Sequence, residues 1–172
     1  MKIVDAVKTN LSKYATFSGR AARPEYWWFM LAVFIGALVV SLIESALFGV
    51  PDEGEAASQP LSMVYSLAIL IPVMASGWRR MHDTGRPGWY LLLPYVVNIV
   101  GFAMLFLGVA GFTQMENAGA DPDALRGGAV LLGGAGILIL SLVQLVLLVL
   151  LIWWLSRPGE DGPNPYGPPP VT

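Results

Sequence analysis

The chain contains no cysteine. Disulfides, thiolate nucleophiles and cysteine-based metal sites are therefore excluded. Histidine occurs once, at His82. A metal centre would need more ligands than one histidine and a few scattered carboxylates supply, so no metal and no cofactor is expected. No Gly-x-Ser-x-Gly elbow and no phosphate-cradling glycine loop is present. Charge is also scarce. Only 13% of the 172 residues are charged, about half the globular average.

What fills the chain instead is hydrocarbon. Apolar residues make up 55% of it, and the mean hydropathy is +0.62. A soluble domain of this size could not hide so much apolar surface, so the composition implies an integral membrane protein. The N-terminal stretch MKIVDAVKTNLSKYATFSGR has no continuous apolar run ahead of a cleavage site and does not read as a signal peptide.

A bilayer core of about 30 Å needs roughly 20 apolar residues in a helix. Four stretches qualify, at about 26–49, 61–78, 89–112 and 128–155. The six tryptophans, Trp27, Trp28, Trp78, Trp89, Trp153 and Trp154, all fall at span ends, where amphipathic rings prefer the headgroup layer. Lys2, Lys8, Lys13, Arg20, Arg23, Arg79, Arg80, Arg86 and Arg157 flank the spans on one side, and Arg126 alone on the other. That bias predicts both termini and the 79–88 loop on the cytoplasmic side of a plasma membrane. The fold expected is all-α, a single membrane domain over 1–157 with four transmembrane helices.

Ahead of the first span, residues 2–14 read as an amphipathic interfacial helix, with Ile3, Val4, Val7, Leu11 and Tyr14 recurring near a 3.6 period. Behind the last span, residues 158–172 hold six prolines. Most of this tail is expected to lack regular structure, with NPYG as a candidate docked turn.

Polar residues inside the spans are few. Glu44 falls near the outer end of the first span. Asn98 and Gln144 both lie about 14 Å from the cytoplasmic tryptophans. The matched depth predicts an interhelical Asn98–Gln144 hydrogen bond. Pro72 and Pro94 also match in depth and are candidate kinks.

The densest polar stretch is GWRRMHDTGRPGWY, residues 77–90. If the second span continues as a helix past Trp78, Arg79 and Asp83 become i, i+4 neighbours and can pair. Arg80 and His82 then point elsewhere, and Gly85 suits a left-handed C-cap. Arg20, Arg23 and Glu25 open on the same interface from the first span. Five arginines with only Asp83, Glu25 and one histidine to offset them make an anion-attracting patch.

FSGRAARPEYWWF (17–29), WRRMHDTGRPGWYLLLP (78–94) and NPYG (164–167) resemble the bacterial inner-membrane family designated domain of unknown function 805, the YhaH-like proteins. The matching positions include Arg20, Arg23, Glu25, Arg79, Arg80, His82, Asp83, Asn164 and Tyr166. Ala22 and Pro87 stand where the family usually carries serine. The resemblance implies a multi-pass inner-membrane protein and brings no reaction with it.

Three functions fit the residues. The cytoplasmic cluster of Arg20, Arg23, Glu25, Arg79, Arg80, His82, Asp83, Arg86, Asn164 and Tyr166 binds an anionic lipid headgroup or a partner protein, or it locks the fold, with Tyr166 docked between tryptophans. Alternatively, the chain is a transporter or channel subunit acting as a homo-oligomer. The third reading is an interfacial enzyme acting on a lipid-linked phosphate, although His82 and Asp83, as adjacent helical residues, do not form a ready base and orienter. No catalytic residue is assigned, and no nucleic acid is expected as a partner.

Overall fold

The computed structural model describes residues 1–49, 59–119 and 121–170. Most of the loop after the first span, at 50–58, lies outside the described residues, as does the side chain of Arg126. Among the described residues the regular elements are helices, with one isolated bridge in the tail. Helix α1 spans Ile3–Ser12, α2 Arg23–Phe48, α3 Pro60–Asp83, α4 Leu93–Asn117 and α5 Pro122–Ser156. A 3-10 turn, Gly88–Leu92, leads into α4. Among the described residues four helices are long and apolar enough to cross a membrane. Their large side chains lie bare, as Leu42, Phe102 and Phe106 illustrate. That is the surface a lipid-facing helix presents, since its backbone groups are satisfied within the helix.

The chain divides into two compact units. The first comprises Met1–Leu91 and Trp154–Thr172, the second Leu92–Trp153.

In the first unit α2 and α3 pack side by side, and α1 lies across both. Helix α2 starts at Arg23-Pro24, with proline in the first turn, where its missing N–H costs nothing. Its N-cap, Ala22, makes no side-chain cap bond. The serine-to-alanine departure thus leaves this end without a hydroxyl cap. Helix α1 is shorter than the expected 2–14, and only part of its apolar set faces outward. Val4, Leu11 and Tyr14 are exposed and Ile3 and Val7 half-buried, whereas Ala6 and Asn10, outside that set, are fully buried. Small Ala6 permits close approach to the neighbouring helices. Tyr14, past the helix end, donates its hydroxyl to the Ala68 carbonyl of α3.

Within the membrane α2 and α3 are joined by backbone-directed polar contacts. Tyr65 donates to the Val33 carbonyl at 2.7 Å. It lies over Gly36, where a Cβ would collide with its ring and hydroxyl. Glu44 has a more specific task than an interfacial charge. It is buried and reaches from α2 to the first turn of α3. There Oε1 accepts from Leu61 N at 2.7 Å, and both carboxylate oxygens accept from Ser62 N at 3.3 Å. The Ser62 hydroxyl donates to Oε2. The N-cap of α3, Gln59, provides no side-chain cap, so a carboxylate from another helix satisfies the free N–H groups and meets the positive helix end. Glu44→Ala is expected to lower the thermal unfolding temperature in detergent, with Glu44→Gln intermediate because it keeps one acceptor. Equal stability of all three would refute the cap.

Pro72 lies inside α3 and is buried, as expected of a kink candidate. Pro94 does not match it. It sits at the start of α4, after the 3-10 turn, so it begins a helix where an absent N–H is harmless.

The second unit holds α4 and most of α5. The Asn98–Gln144 bond expected from depth is not made. Asn98 donates instead to the Pro94 carbonyl of its own helix at 2.9 Å, a local bond open to any short polar side chain one turn on. Gln144 Oε1 is buried without a partner.

Candidate functional site

Helix α3 runs five residues past Trp78 and ends in a Schellman turn. Arg86 N donates to the Met81 carbonyl at 3.0 Å and Gly85 N to the His82 carbonyl at 3.1 Å. Gly85 adopts φ +71°, which glycine reaches without a Cβ penalty. This last turn carries Arg79, Arg80, His82 and Asp83, and all four are buried. From the sequence these residues form either an anion-attracting patch or a fold lock. In the structure they lie inside, because α1, the α1–α2 connection, the end of α5 and the tail close around them.

Arg80 is 0% exposed. Nε donates to the Leu155 carbonyl at 2.9 Å, Nη1 to the Ala21 carbonyl at 3.4 Å, and Nη2 to the Arg157 carbonyl. Nη1 also pairs with Asp83 Oδ2. The partner of Asp83 on its own helix is therefore Arg80 at i, i+3, and not Arg79. The other oxygen, Oδ1, takes Arg20 Nε and Nη2, both at 2.9 Å. Asp83 thus sits between two arginines.

Arg20 spends its remaining donors on the tail, at the carbonyls of Gly162 at 2.7 Å, Gly167 at 3.4 Å and Glu160. Arg79 points away from Asp83 into the α1 side. It donates to the Lys13 and Thr16 carbonyls at 3.2 and 2.6 Å and to Asn10 Oδ1 at 2.8 Å. Its Nη2 stands 3.7 Å from Glu25 Oε1. A planar fork of donors suits this work, because each arginine ties several chain segments at once.

His82 Nδ1 lies 3.1 Å from the Gly19 carbonyl, so this nitrogen carries the proton. The ring stacks on Tyr166 with centroids 3.8 Å apart and planes 3° from parallel. Tyr166 therefore docks on histidine and not between tryptophans. Asn164 Nδ2 donates to the His82 carbonyl at 2.9 Å and to Glu160 Oε2 at 2.8 Å. Asn164 and Gly167 exchange backbone bonds at 3.1 and 3.0 Å, and Tyr166 N donates to Asn164 Oδ1 at 3.0 Å. Glu160 N donates to the Asp83 carbonyl at 2.9 Å. The proline-rich tail is thus docked over the end of α3. Prolines deprive it of ladder donors, but carbonyls suffice when arginines supply the protons.

Two members of the expected cluster stay outside this network's core. Arg23 is exposed and reaches the Ser156 carbonyl at 3.5 Å. Arg86 donates to the Thr84 carbonyl at 2.9 Å and lies over the Trp154 ring at 5.3 Å. Burial first, and then neighbouring Arg157, pull its affinity for its proton below the ordinary arginine value. Asn98 and Gln144 belong to the second unit and take no part. Sequence reasoning missed Asn10, whose amide bridges Arg79 to the Ala6 carbonyl at 2.9 Å and the Glu25 carbonyl at 3.5 Å. It also missed Gly159, where a Cβ would collide with the Asp83 carboxylate. Polar Asn10 at a buried helical position was the available signal. Gly159 gave none.

Chemically, the cluster is largely self-satisfied, although Arg79 Nε and Glu25 Oε1 are buried without a hydrogen-bond partner. Its charges face carbonyls and each other, and among the described residues no three histidine, aspartate or glutamate side chains gather as metal ligands.

The family model described as Protein of unknown function (DUF805) matches residues 14–119, which hold most of these side chains. The inner membrane protein YhaI of Escherichia coli K12 is 37% identical over 115 residues, covering 65% of this chain and 90% of the relative. The inner membrane protein YhaH of the same organism is 33% identical over 114 residues, covering 65% and 91%. No solved structure matches the chain. With four membrane-length helices and these relatives, the chain belongs to the DUF805 family of inner-membrane proteins.

Proposed function

We propose that this is a non-enzymatic, multi-pass scaffold of the inner membrane, with both termini cytoplasmic and its arginine cluster serving as a fold lock. The observation that carries the reading is the use of the guanidinium donors. Arg20, Arg79 and Arg80 direct theirs to backbone carbonyls, Asn10 and Asp83, which leaves little of the anion-attracting patch. Helix α1, the end of α3 and the tail gather at one end of the first unit, and this end carries the basic flanks. That arrangement supports termini on a common side, which the positive-inside bias assigns to the cytoplasm. Anionic lipid then meets only the outer rim, where Lys2, Lys8 and Arg23 are exposed, at about 1 kcal/mol per basic residue.

Native mass spectrometry of the purified full chain tests this. Any anionic lipid adduct is expected to be salt-labile and to survive Arg86→Ala unchanged. A salt-resistant anionic mass that disappears in Arg86→Ala would overturn the lock and make the hairpin a ligand site.

A further inference from the structure

The second unit contains an open groove of about 1210 Å³ between α4 and α5. Phe102, Leu105, Ile137 and Leu140 line it, with Asn98 and Gln144 on its walls. A helix with side chains is about 10 Å across and rises about 5.4 Å per turn, so the groove has room for roughly three turns of one. Acyl chains would also fill the volume, but they bring no hydrogen-bond donor. Gln144 Oε1, buried and unpartnered near mid-membrane depth, calls for one, because no water is available there to replace it.

We infer that the groove seats α5 of a second copy of this chain, with Gln144 of each copy against the other. A closed dimer of two copies inserted in the same direction has its two-fold axis along the bilayer normal. Residues of equal depth then meet, and those beside the axis lie against their own counterparts, the place the proposal gives Gln144. A glutamine amide is both donor and acceptor. Two glutamines at one depth can therefore pair reciprocally with a small side-chain turn, which a lone asparagine held to its own helix cannot match. Gly133 and Gly136, also on the walls, have nothing within 4 Å of a built Cβ and leave room for close approach.

The absence of cysteine makes the test clean. Gln144→Cys in the full chain, oxidised in native membranes with copper phenanthroline, is expected to give a covalent dimer. Val146→Cys, at nearly the same depth but 57% exposed and off the groove wall, is expected not to. Equal cross-linking of the two, or none at 144, overturns the proposal. Gln144→Leu, checked for an unchanged unfolding temperature, is expected to raise the dimer dissociation constant about three- to thirtyfold, the span of one interhelical polar bond. An unchanged constant overturns it as well. So does a monomer carrying a copurified lipid, which would assign the groove to lipid.

Discussion

Asp83→Ala is expected to be the most destabilising single substitution in the chain, by about 3–5 kcal/mol. Asp83 is the shared counter-ion of Arg20 and Arg80, whose side chains are 1% and 0% exposed. Its removal leaves two guanidinium charges facing carbonyls alone, without a carboxylate and without water. The cost is that of an uncompensated buried charge and exceeds the net worth of either pair. Asp83→Asn keeps the shape and one acceptor and is expected to fall between. Thermal unfolding in detergent reads the order directly. An enzyme that used Asp83 for chemistry would give the opposite pattern, a stable protein without activity. A wild-type unfolding temperature for Asp83→Ala would remove the lock from the account.

Truncation after Arg157 is expected to have the second largest effect. The tail provides Arg20 with the carbonyls of Glu160, Gly162 and Gly167. It also makes the Glu160–Asp83 backbone bond and the Asn164 bond to the His82 carbonyl. Hydrogen bonds of this kind contribute about 0.5–1.5 kcal/mol each, and the Tyr166–His82 stack a similar amount. Water re-enters on truncation and replaces part of this, so a net loss of about 2–3 kcal/mol is expected. Tyr166→Ala alone isolates the stack, at about 0.5–1.5 kcal/mol. A disordered tail predicts no change from either variant.

Helix number and approximate bounds were legible because apolar runs of span length have few alternatives. The C-cap at Gly85 was legible as well, because its chemistry is local. The family motifs marked most of the cluster's members, Arg20 and Asp83 among them. Partner choice was not legible. Arg79 and Arg80 are neighbours in sequence, yet one turns to α1 and Glu25 and the other to Asp83 and the end of α5. The helix wheel allowed Asp83 to pair with either i−4 or i−3, and tertiary neighbours decided between them. Burial was not legible for a related reason. Charge density suggests a solvated surface, but carbonyls from the α1–α2 connection and the tail carry no sequence signature, and they replace water around these guanidiniums. The tail itself was hidden by composition. Six prolines argue against helix and sheet but do not oppose docking through carbonyls, one asparagine and one tyrosine. Glu44 showed the same limit, since its depth was readable and its cap partner, in another helix, was not.

The most direct measurement is hydrogen exchange, followed by mass spectrometry, over residues 158–167 of the detergent-purified full chain beside Asp83→Ala. The clamp predicts slow exchange at the bonded amides of Glu160, Asn164 and Gly167 in the wild type, lost in the variant. Fast exchange across this segment in both proteins would contradict the clamp and leave the arginines open to a ligand.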